Sequence, residues 1–217
     1  MPRRAEEVPG GVQGPARALQ GRGRAPSRAR EYACGDFRVR LSEEDDAYCV
    51  EFSEQLKGLC PHVVLILHER CTSRGEFARR FGSAEGFIEE LVSECPELGR
   101  RASLRATADG LRQQGWAVHA GEDLVEAFLA RGTLVVEARV KPLSPVFSEL
   151  SVKIRVYPGS LQEALDMRYL LLSLGLRVDS LLPVLAASAL EERLFNCRVQ
   201  EVLASLVERV ERAIKRF

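Results

Sequence analysis

The stretch Leu134–Tyr157, LVVEARVKPLSPVFSELSVKIRVY, carries the clearest structural pattern in the chain. Over residues 134–141 apolar side chains alternate with more polar ones, and the same alternation returns over residues 150–157. A period of two predicts β-strands with one buried face and one solvated face. Two such strands joined by a short loop with two prolines predict an antiparallel hairpin.

Upstream of this hairpin the sequence predicts a β-α-β unit. Residues 37–41 alternate between apolar side chains and arginine, which predicts a strand. Ser42 is followed by four acidic residues, the pattern of a helix N-terminus, so we expect a helix that ends near Leu59. The apolar run Val63–Leu67 then predicts a central strand covered on both faces.

Helices are predicted for most of the remaining chain. Capping patterns predict helices after Ser83 and Ser160, and apolar spacing predicts others over residues 104–115 and 122–131, with a short strand at 116–118. From Pro183 onward the pattern predicts helix for about 34 residues, a length of roughly 50 Å. No internal repeat with a period of 20 to 50 residues is apparent. The fold class is therefore α/β, with a mixed sheet containing one β-α-β unit and one antiparallel hairpin, covering helices and a long C-terminal helix.

Composition and charge divide the chain into three parts. The 217 residues include 31 basic and 31 acidic side chains, and 46% are hydrophobic. Residues 1–30 contain seven arginines and two glutamates, a net charge of +5, and few large aliphatic side chains. We therefore expect a disordered basic tail over 1–30, an α/β domain over 31–180 and a helical extension over 181–217. The apolar runs are too short to cross a membrane.

The six cysteines contain no Cys-x-x-Cys pair, and no secretion signal precedes them. This combination predicts six reduced thiols and a reducing compartment, either the cytoplasm, the nucleus or the mitochondrial matrix. Whether residues 1–30 act as a spacer, a mitochondrial presequence or an RNA-contacting arm stays open.

Catalytic and metal sites have little support in the sequence. Cys60, His62, His68 and Cys71 fall within twelve residues. If residues 63–67 are extended, however, the two histidines lie about 20 Å apart and cannot share a zinc ion. His68 and Cys71 form a conceivable nucleophile pair at a strand end. Motifs for phosphate or dinucleotide binding are missing, so we expect no cofactor and no metal.

A short segment resembles the PD-(D/E)XK nuclease fold. Glu137 and Arg139 lie on one strand face, and Gln162 and Tyr169 follow on a helix, as in the Glu-x-Lys strand and helix of that family. The resemblance implies a metal-dependent nuclease. Arginine replaces the lysine, a second strand intervenes and no upstream strand aspartate is present. A solvated strand face explains Glu137 and Arg139 more simply than a nuclease site does.

Two function classes remain after these exclusions. The first is a non-catalytic subunit or adaptor of a protein complex, which binds its partner, or a second copy of itself, through the apolar stripe of its C-terminal helix. The partner-binding residues would be Val199, Leu203, Leu206, Val210 and Phe217. The alternative is a nucleic-acid-binding protein that uses the basic tail and the wet face of the hairpin. Its contact residues would be Arg139, Lys141, Lys153, Arg155 and Tyr157.

Overall fold

The chain folds around two antiparallel sheets. A computed structural model describes residues 28–44, 46–63 and 71–215. The first sheet contains four strands in sequential order: β1 (Arg28–Cys34), β2 (Phe37–Glu43), β3 (Ala47–Phe52) and β4 (Cys71–Ser73). The second contains six strands in the order β5-β6-β7-β8-β10-β9: β5 (Ala117–Ala120), β6 (Val125–Arg131), β7 (Leu134–Pro142), β8 (Phe147–Val156), β9 (Arg177–Ser180) and β10 (Leu185–Phe195).

Seven α-helices connect or cover these strands within the described residues. They are α1 (Glu54–Leu59), α2 (Arg74–Phe81), α3 (Ala84–Glu94), α4 (Pro96–Arg101), α5 (Leu104–Gln113), α6 (Leu161–Ser173) and α7 (Val199–Ile214). A 3₁₀ turn, Asn196–Arg198, joins β10 to α7. The mixed class of helices and sheets is therefore confirmed. All strand pairings in the described parts of the chain are antiparallel, so the predicted β-α-β unit is wrong.

Local patterns predicted several elements correctly. The strand at residues 37–41, the short strand after Trp116 and the hairpin of β7 and β8 are all present. Helix α3 begins at the predicted cap, because the Ser83 hydroxyl accepts a hydrogen bond from the amide of Gly86 at 3.1 Å. In the same way, Ser160 accepts from the Glu163 amide at 3.1 Å at the start of α6.

The predicted helix after Ser42 is wrong. Ser42 lies inside β2 opposite Cys49, and its hydroxyl donates to the Cys49 carbonyl at 3.4 Å. Residues 47–52 form β3 because Val50 and Phe52 alternate into the core and pair with β2. Helix α1 begins only after Ser53. Val63 lies in a helical turn instead of the predicted buried strand, and residues 64–67 lie outside the described residues.

Two other predicted helices are strands. Residues 125–131 form β6, which pairs with β5 on one side and β7 on the other. Residues 185–195 form β10, which pairs with β8 and β9. The C-terminal helix is therefore α7 alone, with 16 residues and a length of about 24 Å instead of about 50 Å.

Buried side chains form two separate hydrophobic cores. The first core lies between the four-stranded sheet and helices α2–α4. The second lies between one face of the six-stranded sheet and helices α5–α7, and it contains Leu185, Val199 and Leu203. Most buried residues after 180 thus belong to the second core, so the segment predicted as a separate helical extension at 181–217 is part of the folded domain. The predicted tail at 1–30 falls mostly outside the described residues.

The junction between the two cores is tightly packed and polar at its centre. Phe147 and Phe195 come from the second sheet, yet they pack in the first core against Tyr32. Asn196 is fully buried at this point. Its side-chain oxygen accepts from the Ser148 hydroxyl at 2.7 Å, and its amide nitrogen donates to the Ala102 carbonyl at 2.9 Å. These contacts fix the two sheets relative to each other.

Three disulfide bonds hold the fold, so the prediction of six reduced thiols is wrong. Cys34 is bonded to Cys197, Cys49 to Cys71 and Cys60 to Cys95. Sequence spacing could not show these pairs because folding brings the partners together. Cys49 and Cys71, for example, lie directly opposite each other on β3 and β4. Disulfides of this number are typical of oxidising compartments and of some hyperthermophile proteins, which removes the argument for a reducing compartment.

The second sheet is built from an internal repeat with an offset of 60 residues. Helix α5 leads through a turn at Gly115 into β5 and β6, and α6 leads through a turn at Gly175 into β9 and β10. Both glycines have positive φ, 86° and 80°. In each copy the residue after the glycine donates its amide hydrogen to the carbonyl oxygen five residues earlier. Trp116 donates to Leu111 and Leu176 donates to Leu171, both at 3.1 Å. The strand order places the two copies at opposite edges, with β7 and β8 between them.

Candidate interaction surfaces

The predicted partner-binding residues of the C-terminal helix face the interior. Val199, Leu203 and Val210 are 0% exposed and belong to the second core. Leu206 is half-buried beside them, and Phe217 lies outside the described residues. The apolar stripe of α7 therefore packs on the sheet of its own chain, and a partner could reach Val199, Leu203 or Val210 only if the helix left that sheet.

The predicted nucleic-acid face carries a network of ion pairs. Arg139, Lys141, Lys153, Arg155 and Tyr157 are all exposed, as the hairpin pattern predicted. Glu137 lies among them and is only 8% exposed. Its carboxylate contacts both guanidinium groups at 3.3 Å, and Arg139 also contacts Glu126 at 3.1 Å. The two arginines are thus neutralised locally, and the face is a mixture of both charges instead of a basic strip.

The residues of the nuclease resemblance do not come together. Glu137 lies on the exposed face of the sheet, whereas α6, which carries Gln162 and Tyr169, covers the opposite face through Ala164 and Met167. No group of three potential metal ligands occurs within the described parts of the chain. This geometry gives no support to a metal-dependent nuclease.

The conceivable Cys71–His68 pair has no free thiol. Cys71 is bonded to Cys49, so its sulfur cannot act as a nucleophile in this oxidised form. His68 lies outside the described residues. His62 is exposed, and its Nε2 lies 2.5 Å from the Glu94 carbonyl oxygen.

Helix α6 presents an apolar stripe to solvent, which the sequence analysis did not identify. Its inner face is formed by Ala164, Met167 and Leu171, all buried. A second set of apolar side chains lies on a neighbouring face of the helix at spacings of four, four and three residues, as one face of a helix requires. We call this set the outer stripe: Leu161, Leu165, Tyr169 and Leu172. Leu161 is 58%, Tyr169 68% and Leu172 44% exposed, whereas Leu165 is half-buried.

The internal repeat provides a direct comparison for this stripe. Sixty residues earlier, α5 carries Arg105, Asp109 and Arg112 at the positions of Leu165, Tyr169 and Leu172. All three are exposed, and Arg112 pairs with Asp109 at 2.7 Å. The repeat therefore tolerates charge at these positions, so nothing in its own architecture demands apolar residues on the outside of α6.

A groove of about 450 Å³ lies between α7 and the turn that follows α6. Its floor is apolar and includes Val152, Leu176 and Leu206. Its rim carries two cations and two anions, Arg198, Arg209, Glu191 and Glu201, with Ser205 between them. This volume lies in the range of pockets that enclose a small ligand or several side chains of a partner. Leu174 and Gly175 line the groove, so it begins two residues after the outer stripe ends.

No protein-family model matches the chain, and comparisons with curated proteins and with solved structures give no match. Among the described helices, none is long and apolar enough to cross a membrane. Inferences about function therefore rest on the surfaces described above.

Proposed function

We propose that the chain is a non-catalytic subunit of a protein complex and that it binds its partner through the outer stripe of α6. The observation that carries this proposal is the contrast between the two copies of the repeat. The three positions carry exposed charged residues in α5, whereas in α6 they are apolar, with Tyr169 and Leu172 exposed and Leu165 half-buried. Contiguous apolar patches on a protein surface mark sites of interaction with other molecules.

The energetics of the stripe suit a binding surface. Burial of a leucine or aromatic side chain contributes about 1.5–3 kcal/mol, and aromatic residues are enriched among the side chains that dominate interfaces. Tyr169 is the most exposed of the large apolar residues in the described chain, and it lies between Leu165 and Leu172 on the stripe. Three such side chains at the centre of an interface supply several kcal/mol, enough to change affinity by a factor of 100 or more.

The test is affinity purification of the tagged full chain from a nuclease-treated lysate of its source cells. The stripe variant combines Leu165→Arg, Tyr169→Asp and Leu172→Arg, which copies α5 onto α6. The control combines Arg105→Ala, Asp109→Ala and Arg112→Ala on α5. We expect a near-stoichiometric partner with the wild type and the control, and a loss of at least tenfold with the stripe variant. Equal recovery with the stripe variant would contradict the proposal.

Nucleic-acid binding through the exposed sheet face has less support. Lys141, Lys153 and Tyr157 are exposed there, but Arg139 and Arg155 are engaged by Glu137. This alternative predicts affinity for single-stranded RNA that falls steeply with salt and is lost in the variant Lys153→Glu with Arg155→Glu. If the chain does not bind RNA, or binds it with an affinity that does not change with salt concentration, this alternative is excluded.

A further inference from the structure

The three disulfide bonds differ in their exposure to solvent. Cys71 is exposed, whereas its partner Cys49 is buried. Each of the other two bonds joins cysteines that are buried or half-buried, namely Cys60 with Cys95 and Cys34 with Cys197. A thiolate must reach a sulfur atom in order to cleave a disulfide, so the exposed cysteine offers the easiest point of attack.

The bond between Cys49 and Cys71 lies at an edge of the first sheet. Among the described strands, β4 has only three residues and pairs with β3 alone. The three pairs are Ala47 with Ser73, Tyr48 with Thr72 and Cys49 with Cys71. So short a ladder contributes little stability by itself. At the Cys71 end of β4, the disulfide is therefore the main link to the rest of the sheet.

The other end of β4 is anchored without the disulfide. The Arg74 amide donates to the Asp46 carbonyl at 3.0 Å, and the Arg74 guanidinium contacts the Glu43 carboxylate at 2.9 Å. Phe77, on the helix that follows, is 2% exposed and lies in the first core. Cleavage of the bond would thus release β4 from the Cys71 end and leave α2 in place.

The sulfur atoms of the other two pairs are kept together by the packing around them. Cys60 and Cys95 both belong to the first core. Cys197 follows Asn196, whose side chain is fixed by its hydrogen bonds in the junction. Thiols that a fold holds side by side re-form their disulfide readily, whereas exposed disulfides are the labile ones. Exposure and packing therefore predict the same order of reduction, in which the bond between Cys49 and Cys71 opens first.

We propose that this bond is a redox switch at the edge of the first sheet, and that Cys71 is its site of thiol–disulfide exchange with a small dithiol. A thiolate of the dithiol attacks the Cys71 Sγ and forms a mixed disulfide, while the bond to Cys49 breaks and Cys49 leaves as a thiolate. The second thiol of the dithiol then attacks the sulfur of its own molecule in the mixed disulfide and releases Cys71. The dithiol is oxidised to a disulfide, and its two protons pass through water to the two cysteines.

Reduction of this bond changes the edge of the sheet and leaves both cores closed. Residues 71–73 can then separate from β3, so that residues 47–49 become the new edge of the sheet. Val50 and Phe52, each 5% exposed, keep β3 packed in the first core. An uncovered strand edge presents N–H and C=O groups that can pair with another strand. The switch does not use the outer stripe of α6, so this inference is independent of the proposed function.

The test is graded reduction of the oxidised full chain in dithiothreitol buffers, followed by alkylation and mass spectrometry of the cysteine peptides. We expect Cys49 and Cys71 to be labelled together, at a ratio of reduced to oxidised dithiothreitol about tenfold or more below the ratio that either other pair requires. Glutathione, a monothiol, traps the mixed disulfide and should be found on Cys71. Simultaneous opening of all three bonds, or earlier opening of another pair, overturns the proposal. A glutathione adduct found mainly on another cysteine also overturns it.

Hydrogen exchange shows whether the opening is local. The wild type is compared before and after reduction of the first bond, together with the variant Cys49→Ala with Cys71→Ala, which represents the open switch. We expect the amides of residues 47–49 and 71–73 to exchange about tenfold faster or more in both open forms, while β7 and β8 keep their protection. The control variant, Cys60→Ala with Cys95→Ala, retains the closed bond and should keep the slow rates at these residues.

The comparison within the wild type decides the result, so it does not depend on the folding of either variant. Exchange that becomes faster throughout the first core would contradict a local switch. Exchange at β3 and β4 that reduction leaves unchanged would contradict any release of the edge strand.

Discussion

The disulfide between Cys34 and Cys197 is predicted to be the largest covalent contribution to stability. It joins residues 163 positions apart and ties β1 to the 3₁₀ turn before α7. Closure of a loop of that length removes unfolded-state entropy worth about 5 kcal/mol at 25 °C. The bond between Cys49 and Cys71 spans only 22 positions, and the same relation gives about 3 kcal/mol. Both values are large beside the total stability of a typical domain.

The perturbation is removal of each bond in turn by paired alanine substitutions. Guanidinium unfolding without reductant measures the free energy of unfolding of Cys34→Ala with Cys197→Ala and of Cys49→Ala with Cys71→Ala. The first pair should lose more, by about 2 kcal/mol, because its loop is longer. Each sample is also measured with reductant, which should abolish the difference between the two variants and lower the stability of the wild type most.

Equal losses in the two variants would refute the loop-length argument, because the pairs differ mainly in the length of chain that they close. A wild type whose midpoint does not move with reductant would refute the more basic statement that these bonds hold the fold. Cys60 and Cys95 are 2% and 0% exposed, so the third bond should be the last to be alkylated after partial reduction.

Three further predictions concern the polar contacts. Asn196→Ala leaves the Ser148 hydroxyl and the Ala102 carbonyl unpaired inside the junction and should cost about 2–4 kcal/mol in chemical denaturation. Glu137→Gln removes the carboxylate between two guanidinium groups and should cost about 1–3 kcal/mol at low salt, with a smaller loss in 1 M salt. Burial raises the pKa of Tyr32, while its hydrogen bond with Arg30 acts in the opposite direction. Because the folded state favours the neutral phenol, the stability that depends on this group is present below about pH 10 and is lost as the pH rises above that value. A comparison of urea midpoints at pH 8 and pH 11 should therefore show a smaller fall for Tyr32→Phe than for the wild type.

Sequence patterns predicted those elements whose signals are local. The caps at Ser83 and Ser160 and the alternation in β7 and β8 depend on neighbours within a few residues, and all are present. The prediction of a helix for residues 185–195, LAASALEERLF, was wrong for the opposite reason. Alanine, leucine, glutamate and arginine favour helices, yet the segment is a strand because β8 and β9 hydrogen-bond to it from both sides.

Other properties of the sequence explain why the candidate surfaces could not be predicted from it. The stripe of α7 was recognised correctly as apolar, but periodicity alone does not tell whether such a face meets its own sheet or a partner. The outer stripe of α6 was missed because that helix is apolar on both sides and shows little contrast between them. The sequence alone does not reveal the repeat, because only four of nineteen residues are identical between 111–129 and 171–189.

The repeat gives a reason to regard the differences between its copies as functional. Both copies kept the turn glycine, the donor to the helix carbonyl and the strand pairing, which are the features that the fold requires. They differ on the outside of the helix, where Tyr169 occupies the position equivalent to Asp109. They also differ after the glycine, where Leu176 occupies the position equivalent to Trp116. Drift on a solvated surface favours polar residues, and drift in a core favours conserved volume. The second copy departs from both tendencies, because it has an apolar stripe on the outside of α6 and a smaller core residue, Leu176, after the turn glycine. Packing of the α6 stripe against another polypeptide, as proposed above, would account for the apolar residues on the outside of that helix.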